Sequence, residues 1–190
     1  MNPSDPPAPI RSLQVVSHSQ ARALADLLMD CVQGGASVGF MLPLAPARAL
    51  AFWRRVAQGV AEGARALLVA EDAQGIVGTV QLLLAQPDNQ PHRADLAKML
   101  VHRRARRQGL GAALMRSAED LARAHGKTLL VLDTVTGGDA ERLYARLGWQ
   151  RCGDIPGYAL WPQGGLCSTS YFYRALAVAS AGPAHSPTGF

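Results

Sequence analysis

Apolar residues recur along this chain with two different periods, and the switches between them mark out its elements. In residues 20–32, Ala21, Leu24, Leu27, Leu28, Cys31 and Val32 fall three and four apart, which predicts an amphipathic helix ended by Gly34-Gly35. The same spacing predicts a second helix over 47–62 (Leu50, Trp53, Val56, Val60). A third spans 109–125 (Leu110, Ala113, Leu114, Ala118, Leu121), and a short one spans 140–147. Short apolar or alternating runs predict strands at 13–16, 66–71, 76–85, 95–101, 128–133, 150–155 and 170–174. Asp72-Ala73-Gln74-Gly75 joins two of them as a hairpin turn. The segment 36–46 has loop composition yet carries Val38, Phe40, Met41, Leu42 and Leu44, which suits a packed loop over a cleft. This order of elements gives an α/β fold with a mixed sheet.

Length and composition narrow the picture only a little. The 190 residues, 48% of them hydrophobic, suffice for one core and one domain. No apolar run approaches the ~18–20 residues of a membrane span. The first ten residues are Pro-rich without an apolar segment, unlike a secretory signal. Residues 1–10 and 177–190, small, polar and Pro-containing, are expected to be unstructured around a domain at 11–176. Cys31, Cys152 and Cys167 are odd in number and widely spaced, which suits a cytoplasmic protein and fits no zinc pattern. No metal is expected.

Charge adds one distinction. Of the formal net charge of +5, much lies between Lys98 and Arg107. A nucleic-acid face would spread its basic residues over several elements with aromatics between them. Confinement to one strand-to-helix turn points instead to a small phosphorylated cofactor.

That turn is His102-Arg103-Arg104-Ala105-Arg106-Arg107-Gln108-Gly109-Leu110-Gly111. Amides at a helix start have no intrahelical partner, and the helix dipole favours negative charge there. Gly109 and Gly111 would let backbone approach a diphosphate without a Cβ in the way. Arg106, Gly109 and Gly111 resemble the R-x-x-G-x-G/A motif of the GNAT superfamily of acyl-CoA-dependent N-acyltransferases. The three-glycine dinucleotide fingerprint and the Gly-Lys-Ser/Thr triphosphate loop are both missing here.

The resemblance implies a GNAT-like, mostly antiparallel sheet of about six to seven strands with helices on both faces. Two of those strands would splay apart to admit the pantetheine arm. It implies acetyl-CoA as co-substrate, held by Arg106, Arg107, Gln108, Gly109, Leu110 and Gly111 and by main-chain groups of Met99, Leu100 and Val101. A backbone N–H of Leu100 or Val101 is then also a donor to the thioester oxygen. Leu143-Tyr144-Ala145-Arg146-Leu147-Gly148-Trp149 resembles the superfamily's L-Y-x-x-x-G-F/W segment, in which the Tyr hydroxyl reaches the CoA sulfur. Read from the residues alone, Tyr144 is a core aromatic beside Leu143 and Leu147; the resemblance is what turns the reading to the sulfur contact. A free Tyr has a pKa of about 10 and a thiol about 8.5, so full proton transfer is uphill by roughly 2 kcal/mol. Hydrogen bonding to sulfur is the expected role unless the site lowers the phenol. Many members carry Asn seven positions before this Tyr; here that position is Gly137.

Asp133 ends an apolar strand where the pair should part, and serves either as acceptor of the amine's proton or as a cap for the next turn. His92 and Asp95 are further candidates for binding a substrate ammonium. The segments 92–98, 130–134 and Ile155-Pro156-Gly157-Tyr158-Ala159-Leu160-Trp161-Pro162 are similar to the tabtoxin-resistance type of acetyltransferase. That similarity implies acetylation of a small amino-acid-like β-lactam toxin, with Tyr158 near the acceptor or packed in a loop. No cysteine lies in either motif, so direct attack in a ternary complex is expected over an acyl-enzyme. Homodimers are common among proteins of this resemblance. A protein N-terminus or lysine is the alternative acceptor, and a non-catalytic CoA-sensing or nucleic-acid-binding module the alternative role; neither nucleic acid nor membrane is the expected partner.

Overall fold

The computed structural model describes residues 8–177. Strands β1 (Ile10–Leu13), β2 (Arg65–Asp72), β3 (Gly75–Leu83), β4 (Arg93–Val101), β5 (Leu129–Val135), β6 (Gln150–Leu160) and β7 (Leu166–Ala175) form one sheet. Their order is β1-β2-β3-β4-β5-β7-β6. All neighbours are antiparallel except β4 and β5. The mixed, mostly antiparallel α/β fold expected from the sequence is the one observed.

Helices α1 (His18–Gln33) and α2 (Pro46–Ala61) cover one face of the sheet; α3 (Leu110–Ala124) and α4 (Asp139–Arg146) cover the other. Trp53, Leu24, Leu28, Leu67 and Val69 fill the first core, while Leu114, Met115, Leu130, Tyr144 and Phe172 fill the second. The first helix starts two residues before its predicted range. Ser17 accepts from the Gln20 amide and the Gln20 side chain accepts from the Ser17 amide, a reciprocal cap that the Ser-x-x-Gln spacing carries in the sequence.

Three strand expectations need correction, among them the last strand, which begins at Leu166 rather than at residue 170. The first strand lies at Ile10–Leu13 rather than 13–16, because Ile10 to Leu13 pair with Ala70 to Leu67. The expected unstructured segment 1–10 therefore ends too late; residues 1–7 and most of the expected tail 177–190 lie outside the described residues. The sixth strand runs on to Leu160 instead of stopping at residue 155. Its register shifts between Ile155 and Ala159, where Pro156 and Gly157 sit (Gly157 φ 62°). A bulge holds a proline that regular pairing would reject.

Candidate active site

The chain's one parallel strand pair, among the described residues, is also its shortest ladder. Strands β4 and β5 pair only at Arg93–Leu129, Ala94–Leu130 and Asp95–Val131. Beyond these, residues 96–101 and 132–135 line opposite sides of a cavity of about 550 Å³. The edge of β4 that faces β5 has lost its partner there, so main-chain groups around Met99, Leu100 and Val101 open into the cleft. This is the splayed pair expected from the sequence.

The N-terminus of α3 stands beside the cleft, with Gly111 next to Met99; of the turn before it Arg106 lines the cavity, and residues 107–111 do not. Its cap residue, Gly109, has φ 79° and supplies no side-chain cap, a conformation glycine adopts without a Cβ penalty. The amides of Arg107, Gln108, Gly109, Leu110 and Gly111 make no hydrogen bond among the described residues. A row of unpartnered N–H groups with the positive end of a 15-residue helix behind it fits an anionic diphosphate. Arg106 departs from the expectation, since its amide turns back to the Arg103 carbonyl at 3.4 Å. Gly111 departs too. A Cβ there would lie 3.1 Å from Leu143 Cδ2, so its missing side chain makes room for α4 as well as for any ligand.

The basic cluster is less free than its sequence suggests. Arg103 bonds Asp30 of α1 through its backbone amide (2.9 Å) and its Nε (2.8 Å). Arg104 clasps Asp72 of the β2–β3 hairpin with both terminal nitrogens. Arg106 donates from Nε to the Val101 carbonyl at 3.1 Å. These arginines clip the turn to the body of the protein. Arg107 makes no hydrogen bond among the described residues and is 90% exposed, 3.9 Å from Asp139, itself 79% exposed. Gln108 donates to the Arg104 carbonyl, and Leu110 is buried in the core.

Tyr144 reaches the cavity from α4 with its ring packed against Trp149 and Phe172. Both positions read from the sequence, core aromatic and cleft residue, are therefore occupied by one side chain. Burial raises the phenol well above its ordinary pKa, and the charge of Asp133 raises it further. The site does not lower the phenol, so proton release from it is harder than in water and hydrogen-bond donation is the chemistry left to it.

Asp133 is exposed into the cavity on the face opposite α3 and α4. The Thr169 hydroxyl lies 2.8 Å from the Thr134 carbonyl and 3.2 Å from Asp133 Oδ2. One proton serves one acceptor at a time, so Asp133 keeps lone pairs for a ligand. The turn before α4 is held by Glu141, which accepts from the Gly137 amide, and not by Asp133. Tyr171, opposite Asp133 in register, donates to the Tyr158 hydroxyl at 3.0 Å. That bond, then burial, then the charges around it push Tyr171 up to about 12. Tyr158 lines the cavity from strand β6, not from a loop.

His92 and Asp95 are corrected. They lie at the closed end of the splayed pair, where β4 and β5 are still hydrogen-bonded, and do not line the cavity. Asp95 is already held by Arg93 (2.9 Å) and Gln86 (3.3 Å). Which end of the strand pair stays closed depends on pairing between β4 and β5, which the residues of either strand do not show. Thr169 and Tyr171 are missing from the sequence candidates, although their alternation with buried Phe172 puts both on one face.

The apolar loop forms a roof. Residues 34–39 line the cavity. Ser37 donates to the Leu160 carbonyl at 2.9 Å, and the Leu42 amide donates to the Pro162 carbonyl at 2.8 Å. Phe40 packs edge-on against Phe52 of α2. Loop and β6–β7 hairpin are thus stitched together over the cleft. Among the described residues no cluster of three or more His, Cys, Asp or Glu side chains is placed to hold a metal, and no helix is long and apolar enough to cross a membrane.

Comparison with known proteins agrees with this architecture. The model of the Acetyltransferase (GNAT) family matches residues 23–149. N-acetyltransferase 8B of Rattus norvegicus is 35% identical over 95 residues, 49% of this chain; the match spans 43% of that protein's length, less than half of it. An N-acetyltransferase from Staphylococcus aureus Mu50 superposes with a TM-score of 0.73 at 16% identity, covering 90% of this chain and 99% of that one. A phosphinothricin acetyltransferase from Sinorhizobium meliloti, solved with acetyl-CoA, gives 0.74 at 17% identity over 90% of this chain and 89% of its own. At such identities the shared property is the fold.

Proposed function

The chain belongs to the acetyltransferase (GNAT) family, and on that premise we propose that residues 11–176 form one domain that moves the acetyl group of acetyl-CoA onto the primary amine of a small amino-acid-like molecule. The observation that carries this reading is the row of unpartnered amides from Arg107 to Gly111, which meets the splayed strand β4 at Met99. Those amides and Arg107 hold the diphosphate. Main-chain groups of residues 99–101 take the pantetheine amides, and the N–H of Leu100 or Val101 donates to the thioester oxygen as it gains charge.

The acceptor enters from the opposite face. Asp133 takes the proton of the attacking amine directly or through water, the nitrogen bonds to the carbonyl carbon, and the C–S bond breaks. Tyr144 donates a hydrogen bond to the departing thiolate; its raised pKa supports donation rather than complete proton transfer. Tyr158 borders the acceptor, and Arg106 braces the Val101 carbonyl. Neither step involves a cysteine or a metal.

A small acceptor is favoured over a protein terminus by the roof, since Ser37 and Leu42 tie the loop to the hairpin where a polypeptide would have to pass. An amino-acid-like β-lactam toxin, the acceptor implied by the Gly157-Tyr158-Ala159-Leu160 segment, fits such a covered site in the cytoplasm. Nucleic acid is disfavoured because Arg103 and Arg104 are already paired with Asp30 and Asp72. Incubation with acetyl-CoA and a panel of amino acids, dipeptides and amine antibiotics, followed by free thiol, tests the proposal. Absence of CoA binding by calorimetry overturns it.

A further inference from the structure

Lys98 stands out among the charged groups of the cleft. It lines the cavity from β4, and its ammonium lies 5.8 Å from the centre of the Phe52 ring of α2. Next to it, Met99 turns towards the other face, where its sulfur lies 3.9 Å from the position of a Gly111 Cβ. The two neighbours thus point to opposite sides of the sheet: Met99 to the helix mouth proposed for the diphosphate, Lys98 to the roofed acceptor side. The backbone makes this possible at a cost. Lys98 has φ 50°, in the left-handed region, where the β3–β4 register slips between Thr79 and Gln81.

Its charge is not matched by any near partner. Lys98 forms neither an ion pair nor a hydrogen bond among the described residues, while Asp95 on the same strand is taken by Arg93. Burial is the largest influence on Lys98 and pulls its pKa below the ordinary lysine value. Asp133 opposes that pull, and Arg65 adds to it. A half-buried cation held apart from carboxylates gains most from an anionic ligand group. Arg65, bonded to buried Gln81 at 3.0 Å, adds positive field from β2.

We propose that Lys98 binds the carboxylate of the acceptor while Asp133 receives its amine, so that the enzyme selects zwitterionic amino acids over amines without an acidic group. This rests on the acetyltransferase reading above and names its acceptor class. One side chain at each end of the acceptor fixes which nitrogen faces the thioester.

The test compares free L-amino acids with their methyl esters as acceptors, following thiol release and expressing rates per neutral amine. In the intact protein kcat/KM should favour the acid over its ester. In K98M that preference should fall by about tenfold to a hundredfold, through KM more than kcat, and K98R should restore part of it. Calorimetry with acetyl-CoA reports whether K98M keeps its fold and cofactor site. An acid-to-ester preference near one in the intact protein overturns the assignment even if K98M does not fold, as does an unchanged preference in a folded K98M. Those results leave acetyl transfer standing. Absence of thiol release with every amine in the intact protein overturns the acetyltransferase reading itself, and this inference with it.

Discussion

Ser37 donates its hydroxyl to the carbonyl of Leu160 at 2.9 Å, joining the loop after α1 to the end of β6 across 123 residues of chain. Cys167 Sγ, 3.7 Å from the same hydroxyl, completes the seam. A hydrogen bond of this kind contributes about 0.5–1.5 kcal/mol net. S37A is therefore expected to raise the KM for the acceptor severalfold while leaving acetyl-CoA affinity as it was. Equal losses for both ligands in steady-state kinetics and calorimetry would show that the seam does not define the acceptor side.

Gly111 and Leu143 meet where α3 and α4 face each other. With 3.1 Å between a new Cβ and Leu143 Cδ2, G111A makes the leucine give by a few tenths of an ångström, and the net loss is the amount by which this overpacking exceeds the roughly 0.5–1 kcal/mol that Ala gains over Gly in a helix. Thermal unfolding should show that loss, and acetyl-CoA should bind more weakly because Tyr144 rides on the same helix. Adding L143A should recover much of the G111A penalty. A double-mutant cycle with no coupling between the two would refute the contact.

Y144F should lower kcat on the order of a hundredfold and leave acetyl-CoA affinity nearly unchanged, since only the hydroxyl is removed from a ring that stays packed on Trp149 and Phe172. Because burial raises the phenol, no alkaline limb belonging to Tyr144 should appear in the pH–rate profile up to the ordinary range of tyrosine. Parallel loss of affinity and turnover would assign Tyr144 to the core alone.

The clips that hold the glycine turn should be visible in acid. Burial would raise the Asp30 carboxyl, but the amide and guanidinium of Arg103, with the charge of His102, hold it below the usual carboxylate range. The hydrogen bond from Arg104 does the same for Asp72 against a smaller effect of burial. Both groups bind protons more weakly folded than unfolded. Their stabilisation is thus present above the unfolded pKa of about 3.9 and is lost as pH falls through the lower folded values. Solvent screening keeps each contribution to about 1 kcal/mol or less. The Tm of D30N and of D72N should fall less steeply below about pH 4 than that of the intact protein; curves that run parallel would remove these pairs from the acid response.

What the sequence disclosed, and what it withheld, follows from which interactions are local. The helix from Leu110 was legible because its apolar spacing and the glycines before it lie within one stretch of chain. So was the placing of Tyr144 on a helix, within a motif of seven residues. The hidden features depend on partners far away in sequence. Arg103 and Arg104 read as free charge until α1 and the β2–β3 hairpin bring Asp30 and Asp72 to them. Asp95 read as a cleft residue because pairing with Val131, which closes that end of the pair, is a property of the sheet. Lys98 reads in the sequence only as the edge of the basic cluster, since its outlook comes from a register slip against β3. The length of β6 was masked by Pro156 and Gly157, which are absorbed in a bulge rather than ending the strand.

The grip of the α3 N-terminus on a diphosphate is tested most directly by following the backbone amide resonances of residues 107–111 during titration with CoA and, separately, with pantetheine, which lacks the diphosphate. CoA should shift these amides strongly and pantetheine should leave them nearly still while moving residues 99–101. Binding of CoA with the 107–111 amides unmoved, or equal shifts from both compounds, would contradict the assignment.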